Sequence, residues 1–550
     1  MSELNTSTHK PLEISKFLGI SRAVPPWQLP VGMFYDSLNF RFCRGKCEQF
    51  PRKIKTGSIV DPVPLLAVLV IPDIGTMYNQ AVVVTSRSVY KLATEVDSVD
   101  ITSGVKLRGT ANDRFSSVMF ENKFYVVNRQ TPVFWTDGSR CGRATTMAQP
   151  CGRYIEVFYD HLVVAGCSED VRKVRWSNLR RFDQWNTERA SEADYFQFLE
   201  GEDESFGGIT GCKRLNEFLV VYTSSQIWVG AYVGLPKVMQ FRRVSSQLSN
   251  DCQYGLLAVD KIHMFPSFKW RNFFVFDGTT PEPIGDDIAD YFFNDVSTDM
   301  VEQQATWAYF DKRNHEAVWV YKSVRNTGHH DRAVVFNLLT KKWYPMSAEK
   351  LLCYAEKPMA TRSIDRLGST IDGMTGTINS LAVPELEYDA VWGGPEGSLL
   401  REKRSGDATV DCEEIENPFI ETGDVVGSEM MEVKETDTLL VNAALGDASG
   451  LKCEISVRKN LSDAVTFVEL TPEWTPTVRD CRLTHKKYAD RVIRYRIGTN
   501  YLLAALYEPI VQLYTEPAVT VQEEMEFVAT GETVEFVDPV APIYFTEEEE

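Results

Sequence analysis

The chain has 550 residues, of which 43% are hydrophobic and 11% aromatic, and its formal net charge is −19. This length predicts about two to four domains, and the apolar content is ample for packed cores, which excludes a globally disordered chain. The negative charge argues against a protein that grips nucleic-acid phosphates, but it does not exclude one past which nucleic acid slides.

The N-terminus and the cysteines indicate a protein made in a reducing cytoplasm. Its first twenty residues lack the charged-then-apolar pattern of a signal peptide. No stretch approaches about 18 uninterrupted apolar residues, so we expect no membrane-spanning segment. Eleven cysteines are scattered along the chain, and the close pair Cys43 and Cys47 has no second pair or histidine at zinc-site spacing. We therefore expect free thiols, no metal and no cofactor.

Residues 1–55 are expected to form an extended segment that ends in a closing strand. Pro25, Pro26 and Pro30 exclude a regular helix there, whereas SLNFRF alternates and suits a sheet edge. We expect the strand near Asn39 to close the sheet system that follows.

A strand–turn–strand unit recurs between about residues 60 and 345, at intervals of 40 to 54 residues. Each unit has an apolar strand, a polar turn, a second apolar strand and a shorter strand with an aromatic residue. Turn pairs such as Glu121-Asn122 and Tyr159-Asp160 favour tight hairpins. Single units cannot bury both faces of their sheet, so neighbours must stack around an axis. The units begin at Pro64, Arg114, Tyr154, Gly208, Gly255 and Ala305.

These repeats predict an all-β chain with a β-propeller of about six blades over residues 56–405. Helical spacing of apolar residues is scarce, and DDIADYFFND at 286–295 is the best helical candidate. The stretch that repeats Ile-Asp or Ile-Asn at positions 364, 371 and 378 is rich in Gly, Ser and Thr, which favours loops and short strands.

Two further regions follow the predicted propeller. Residues 406–516 contain several strand patterns and predict a small β-sandwich-like domain, in which RVIRYRI is expected to have one solvent-facing side. Residues 517–550 form an acidic tail, with ten acidic residues and no Lys or Arg in its last thirty positions. It is either a solvated tail or a segment that docks on a basic partner, since Phe527, Phe536, Tyr544 and Phe545 interleave with the acids.

Residues with catalytic or metal-binding potential fall in turns and loops. A glycan-cleaving propeller needs paired carboxylates across a sugar, but turn formation explains Asp side chains at these positions. An adjacent His329-His330 pair followed by Asp331 is poorly arranged to converge on one ion, which favours a solvated loop. We predict no enzymatic activity and no catalytic, cofactor-binding or metal-binding residue. The turn aspartates are Asp137, Asp160, Asp277 and Asp311.

A basic cluster lies in VRKVRWSNLRRF, where the cations interleave with Trp176 and Phe182. This pattern favours a protein interface over a solvated face or a nucleic-acid patch, because one basic rim on an acidic protein more often meets an acidic neighbour. The cluster consists of Arg172, Lys173, Arg175, Arg180 and Arg181. Four tryptophans in apolar strands are expected to be buried between blades: Trp176, Trp228, Trp319 and Trp343.

Several segments in this order resemble the tail nozzle proteins of short-tailed bacteriophages, also called tail hub or packaged-DNA stabilisation proteins. The segments are VRWSNLRRFDQWN, GGITGCKRLNEFLVVYTSSQIWVG and GLLAVDKIHMFPSFKWRNFFVFDGTTPEPIG, together with TIDGMTGTINSL, VWGG and the early LNFRF…PRK. The resemblance spans roughly residues 25–400, and the strands over 412–516 resemble the domain that follows in such proteins.

The resemblance implies a structural virion protein that is assembled in the host cytoplasm. As a homohexameric ring it would retain packaged DNA and form the conduit for DNA ejection, with a net negative lumen through which double-stranded DNA slides without specific binding. The implied neighbours are an adaptor (head-to-tail connector) protein above, and tail fibre or tailspike and needle or plug proteins. Two alternatives stay open from the residues: a glycan-binding or glycan-cleaving propeller, and a propeller scaffold for protein partners.

Overall fold

The computed structural model describes sixteen stretches of the chain, so the acidic tail and the Ile-Asp repeat lie outside the described residues. The chain divides into two compact units, Met1–Gln49 with Asn417–Glu550, and Phe50–Glu416. The described stretches are 9–43, 45–71, 80–92, 98–102, 104–110, 113–143, 149–187, 191–198, 208–358, 388–403, 416–426, 433–445, 451–470, 473–476, 480–499 and 503–515.

The N-terminal segment contributes strands to the first of these units. After Pro25, a single 3-10 turn at Pro26–Gln28 is the only helical piece of this segment within the described residues. Asn39 has a positive φ of 57° at the junction between two strands. The five strands are β1 (His9–Ile14), β2 (Gly19–Ile20), β3 (Met33–Leu38), β4 (Phe40–Cys43) and β5 (Lys46–Gln49).

The second unit is a β-propeller of seven four-stranded antiparallel sheets. Strand β6 (Lys53–Ser58) precedes blade 1, which contains β7 (Leu65–Ile71), β8 (Gln80–Thr85), β9 (Val89–Leu92) and β10 (Ser98–Asp100). Blade 2 contains β11 (Ser116–Phe120), β12 (Lys123–Val127), β13 (Phe134–Thr136) and β14 (Cys141–Arg143). Blade 3 contains β15 (Gly152–Phe158), β16 (His161–Cys167), β17 (Lys173–Trp176) and β18 (Asp194–Gln197).

The remaining blades follow the same order. Blade 4 contains β19 (Ile209–Leu215), β20 (Phe218–Thr223), β21 (Ile227–Gly234) and β22 (Val238–Ser245). Blade 5 contains β23 (Leu257–Val259), β24 (Ile262–Ser267), β25 (Asn272–Phe276) and β26 (Glu282–Pro283). Blade 6 contains β27 (Trp307–Asp311), β28 (Glu316–Tyr321), β29 (Arg332–Asn337) and β30 (Lys342–Ser347). Blade 7 contains β31 (Cys353–Pro358), β32 (Tyr388–Gly393), β33 (Ser398–Glu402) and the earlier β6.

The second strand of a blade is apolar on both faces because a neighbouring blade packs on each side. All seven residues of β16 and all six of β28 are buried. Apolar clusters join blades 1 and 2, 2 and 3, 3 and 4, 4 and 5, and 7 and 1. Trp319 on blade 6 packs against Phe273 on blade 5, and Tyr309 on blade 6 stacks on Tyr354 of blade 7 with ring centroids 4.1 Å apart.

The way in which the ring closes differs from the sequence expectation in the number of blades and in the identity of the closing strand. The expected count of about six becomes seven, because β31 to β33 form a further blade. Its outer strand is β6, which pairs with β33 from Lys53↔Glu402 to Ser58↔Ser398, so the strand near Asn39 is not the closing strand. Five of the six predicted unit starts lie just before the first strands of blades 1, 2, 4, 5 and 6, whereas Tyr154 lies inside the first strand of blade 3, which begins at Gly152.

Two helices connect blades 5 and 6. The predicted helix is confirmed as α1 (Asp286–Asp295), which buries Ile288 and Phe292. The short α2 (Met300–Gln304) was not predicted; the Asp299 side chain caps it by accepting hydrogen bonds from two backbone N–H groups.

The four interior tryptophans follow the sequence expectation closely. Trp176, Trp319 and Trp343 are buried, with at most 2% of each exposed. Trp228 is partly buried against the cluster of blades 3 and 4.

The first unit consists of two sheets, a β-sandwich-like arrangement that takes strands from both ends of the chain. Besides β1 to β5, its strands are β34 (Phe419–Thr422), β35 (Lys434–Leu445), β36 (Leu451–Arg458), β37 (Val468–Glu469), β38 (Glu473–Pro476), β39 (Asp480–Asp490), β40 (Val492–Thr499) and β41 (Leu503–Thr515). Sheet one has the order β38-β39-β35-β41-β5-β4, with β1 on β41, and sheet two has β2-β3-β34-β40-β36-β37. Phe34 of sheet two stacks on Phe42 of sheet one, with ring centroids 5.5 Å apart.

The solvent-facing side expected for RVIRYRI is only partly solvated, because the Arg496 side chain is 32% exposed whereas that of Arg494 is buried. Its strand, β40, lies inside sheet two between β34 and β36. The Arg494 side chain is 3% exposed and pairs with Glu421 at 2.8 Å and with Asp424 at 2.7 Å. Buried carboxylates on a neighbouring segment, rather than water, therefore compensate the basic residue of the alternating pattern.

Candidate functional sites: the propeller channel and a groove at blades 2 to 4

The first strands of six blades, and the segment just before the first strand of blade 5, surround a central cavity of about 260 Å³, called here the channel. Its lining contains three cationic side chains, Arg114, Arg153 and Lys213. Of the described residues that line it, none is Asp or Glu. In a chain with a net charge of −19, the propeller axis is thus locally cationic.

Arg114, just before β11, contacts three other blades across the channel. Its Nη1 donates a hydrogen bond to the backbone oxygen of Leu352, at the start of blade 7. Its Cζ lies 4.7 Å from the ring centroid of Trp307 on blade 6 and 5.8 Å from that of Tyr254 beside blade 5. Burial lowers the pKa of the guanidinium to about 10. Arg114 therefore ties blade 2 to the opposite side of the ring.

The other polar groups of the channel differ in how they are compensated. Lys213 Nζ lies 3.5 Å from a Glu156 carboxylate oxygen. The Tyr154 hydroxyl donates to the backbone oxygen of Gln253 at 2.8 Å. Burial raises the pKa of the Cys353 thiol to about 12, so this sulfur stays protonated and is a poor nucleophile near neutral pH. The arrangement suits binding of a small anion better than nucleophilic chemistry.

A second cavity, of about 660 Å³, opens among the hairpin turns of blades 2 to 4 and is called the groove. Tyr159 is 41% exposed and stacks on Tyr232, with centroids 5.0 Å apart and ring planes 15° apart. Met119 and Leu179 are also exposed there. The turns that carry these residues need left-handed backbone: Tyr159 and Asp160 have φ of 45° and 57°.

The basic cluster is largely neutralised by its own neighbours. Lys173 and Arg175 approach Glu169 at 3.1 and 3.6 Å, and Arg172 pairs with Asp170 at 3.0 Å. Arg180 pairs at 2.8 Å with Asp160, a residue that lines the groove. The exposed end of the cluster therefore lies at the edge of the groove, while its other members are held within blade 3.

Asp137 and Asp277 form turns as the sequence predicts, whereas the expected solvated loop holds only in part: His329 is exposed, but His330 is partly buried. Asp137 and Asp277 accept hydrogen bonds from backbone N–H groups two residues on. Asp331 accepts from Ser323, and His330 bonds the backbone oxygen of Ala305 at 3.1 Å, so the two do not converge on one point. Among the described residues, no three His, Cys, Asp or Glu side chains form a group suited to a metal.

The channel cations were missed at the sequence level. A signal exists: Arg114-Phe115 and Arg153-Tyr154 place an Arg-aromatic pair at the start of the first strand of consecutive blades. The cysteines follow expectation, since nine of those in the described stretches form no disulfide bond. Within the described stretches, no helix combines the length and apolar character needed to cross a membrane.

No family model and no curated protein matches this chain. Solved structures similar to it include the WD40 domain of Neurospora crassa Pan2, at 8% identity and a TM-score of 0.36 over 64% of this chain and 96% of that one. BamB from Moraxella catarrhalis is 9% identical with a TM-score of 0.34, and the match covers 62% of this chain and 83% of that one. The structure of YCF48 bound to D1 peptide is 10% identical with a TM-score of 0.32, and the match covers 65% of this chain and 96% of that one. At these scores the propeller assignment rests on the seven sheets themselves.

Proposed function

We propose that the protein is a structural virion component, the ring-forming tail nozzle of a short-tailed bacteriophage. In this role a homohexamer retains packaged DNA and forms the conduit for its ejection, between an adaptor above and tail fibre or tailspike and needle proteins. The resemblance in sequence supports the proposal. Its three longest segments coincide with β17 and the loop after it, with β19 to β21, and with β23 to β26.

The main structural support for ring formation is the groove, which offers a surface for contact with a second copy of the chain. Contiguous exposed apolar side chains are uncommon on a monomeric surface and mark interaction sites. Here Met119, Tyr159 and Leu179 are exposed around one cavity, with the Arg180–Asp160 ion pair at its edge. The occupant we propose is a second copy of this chain. A head-to-tail contact of this type closes into a ring when the rotation permits.

Light scattering after size exclusion, with electron microscopy, tests the proposal on the full chain. We expect hexameric rings from the natural chain. The double variant Arg180→Glu/Arg181→Glu should shift the population to folded monomer, because it reverses the charge beside the groove. Its matched control, Arg242→Glu/Arg325→Glu, changes two exposed arginines outside the groove and should assemble normally. A natural chain that stays monomeric at all concentrations contradicts the nozzle proposal.

Glycan binding is the second candidate, and the same groove favours it. An exposed aromatic ring beside Asp160, Glu156 and Arg214 combines an apolar face with a few polar groups, as ligand sites do. Glycan binding on an array by a monomeric natural chain would support this candidate if the Tyr159→Ala variant no longer binds those glycans. Ring assembly without glycan binding would exclude it.

A further inference from the structure

We propose that the channel binds a tetrahedral oxyanion, such as inorganic phosphate or a phosphomonoester, between Arg114 and Arg153. This site is independent of the nozzle proposal, because it lies on the axis of a single propeller. Arg114 and Arg153 stand at the first strands of adjacent blades 2 and 3 and line the same cavity.

The charge balance of the cavity calls for an anion. Lys213 has a carboxylate partner in Glu156. Neither Arg114 nor Arg153 forms an ion pair with any carboxylate in the part of the chain that the structure describes. Two cations without counter-ions in a partly enclosed, aromatic-walled space carry an electrostatic cost that a bound dianion would remove.

Hydrogen-bond donors for such an anion are in place. A guanidinium has five N–H groups, and the described residues provide one acceptor for Arg114, the Leu352 carbonyl. The indole N–H of Trp307, which also lines the channel, is buried and has no acceptor among the described residues. The contact of the guanidinium with the face of the Trp307 ring restricts the position of the Arg114 side chain, so its remaining donors are available in the channel for the paired oxygens of an oxyanion.

The cavity size restricts the ligand. A space of about 260 Å³ admits a phosphate group with a small substituent but not a nucleic-acid duplex. The oxygen-rich, doubly charged head is the shared chemistry of free phosphate and phosphomonoesters. Their difference lies in the substituent, which would contact the tyrosines of the channel.

Calorimetric titration of the full chain with inorganic phosphate, at constant ionic strength set by sodium chloride, tests the site. We expect saturable binding of about one phosphate per chain, weakened at least about tenfold in Arg114→Met and in Arg153→Met. Arg242→Met, an exposed control, should bind like the natural chain. A second titration with glycerol phosphate separates the sources: tighter binding than phosphate indicates a phosphomonoester, and equal or weaker binding indicates free phosphate.

Two results would overturn the proposal: no saturable phosphate binding by the natural chain, or unchanged affinity in both methionine variants. Should Arg114→Met fail to fold because it loses the contacts across the channel, Arg153→Met decides the outcome. Arg114→Lys, which keeps the charge but not the paired N–H geometry, should bind phosphate more weakly than the natural chain and confirms that the guanidinium fork matters.

Discussion

A buried histidine joins blades 4 and 5 through both of its ring nitrogens. His263 Nε2 lies 3.0 Å from the backbone oxygen of Arg214, and Nδ1 lies 2.9 Å from the Tyr222 hydroxyl. Because a carbonyl only accepts, Nε2 carries the proton and Nδ1 accepts from Tyr222. The neutral ring is thus fully satisfied. Burial lowers the pKa of His263 to about 4, so the ring stays neutral in the folded protein at neutral pH.

The lowered pKa of His263 predicts acid sensitivity of the propeller. The unfolded chain takes up this proton near pH 6.5 and the folded chain only near pH 4, so stability is full above 6.5 and falls between those values. The loss should total roughly 3 kcal/mol. Denaturant titrations at pH 7.5 and 4.5 measure it. His263→Gln should lose less stability over this range, whereas exposed His329→Gln should behave like the natural chain.

Trp319 is the residue whose removal should cost most in the propeller core. Its ring is fully buried, lies 4.9 Å from Phe273 and 5.7 Å from Trp343, and its indole N–H donates to the backbone oxygen of Gly255 at 2.9 Å. Trp319→Ala should lower the free energy of unfolding by about 3–5 kcal/mol. Urea denaturation measures this loss. A loss no larger than that of half-exposed Trp270→Ala would contradict the packing described for blades 5 and 6.

At the scale of elements, the sequence predicts blades well where their four strands are consecutive. Turn pairs with left-handed backbone, such as Glu121-Asn122 with φ of 46° and 61°, mark the hairpins of the first two strands. Blade 7 escapes the pattern. Its first two strands are separated by residues 359–387, and its outer strand precedes blade 1. Local periodicity contains no information about such long-range pairing.

Strand β6 closes the propeller ring as the outer strand of blade 7, so weakening its packing should loosen the ring there. Ile54 on this strand is buried, with 1% of its surface exposed, whereas the neighbouring Lys55 is exposed. Ile54→Ala should cost about 2–5 kcal/mol and loosen the ring where it closes. Hydrogen exchange should then show faster exchange in β33 than in β20 of blade 4. Lys55→Ala is the control, and equal loss of protection in both blades would argue against β6 as a closure element.

The candidate sites show the same limit of local patterns. The basic cluster was found because its residues are consecutive, and Arg180 does lie beside the groove. The channel was not found, because its residues come two to four at a time from seven separate segments of the chain. In each strand they look like ordinary core positions. Only the stacking of the blades brings Arg114 beside Trp307.

At the scale of the whole molecule, charge is sorted by location. The chain has a net charge of −19, yet the lining of the propeller channel is cationic. The other conspicuous basic region, the cluster of blade 3, is offset by Glu169, Asp170 and Asp160. Neither region offers a continuous track for phosphates. We therefore expect neither region to bind nucleic acid tightly.

Isolated protein should bind duplex DNA weakly at physiological salt, because four of the five cations of the blade 3 cluster are already paired with carboxylates and the channel is too small for a duplex. Glu169→Gln/Asp170→Asn frees Arg172, Lys173 and Arg175, and should raise DNA affinity with a steeper salt dependence. The control variant Glu217→Gln/Asp260→Asn makes the same charge change at exposed positions outside that cluster, and it should raise the DNA affinity less. Fluorescence anisotropy across a salt series measures all three proteins. Tight binding by the natural chain that falls steeply with salt would contradict a non-binding wall and assign the cluster a DNA-gripping role.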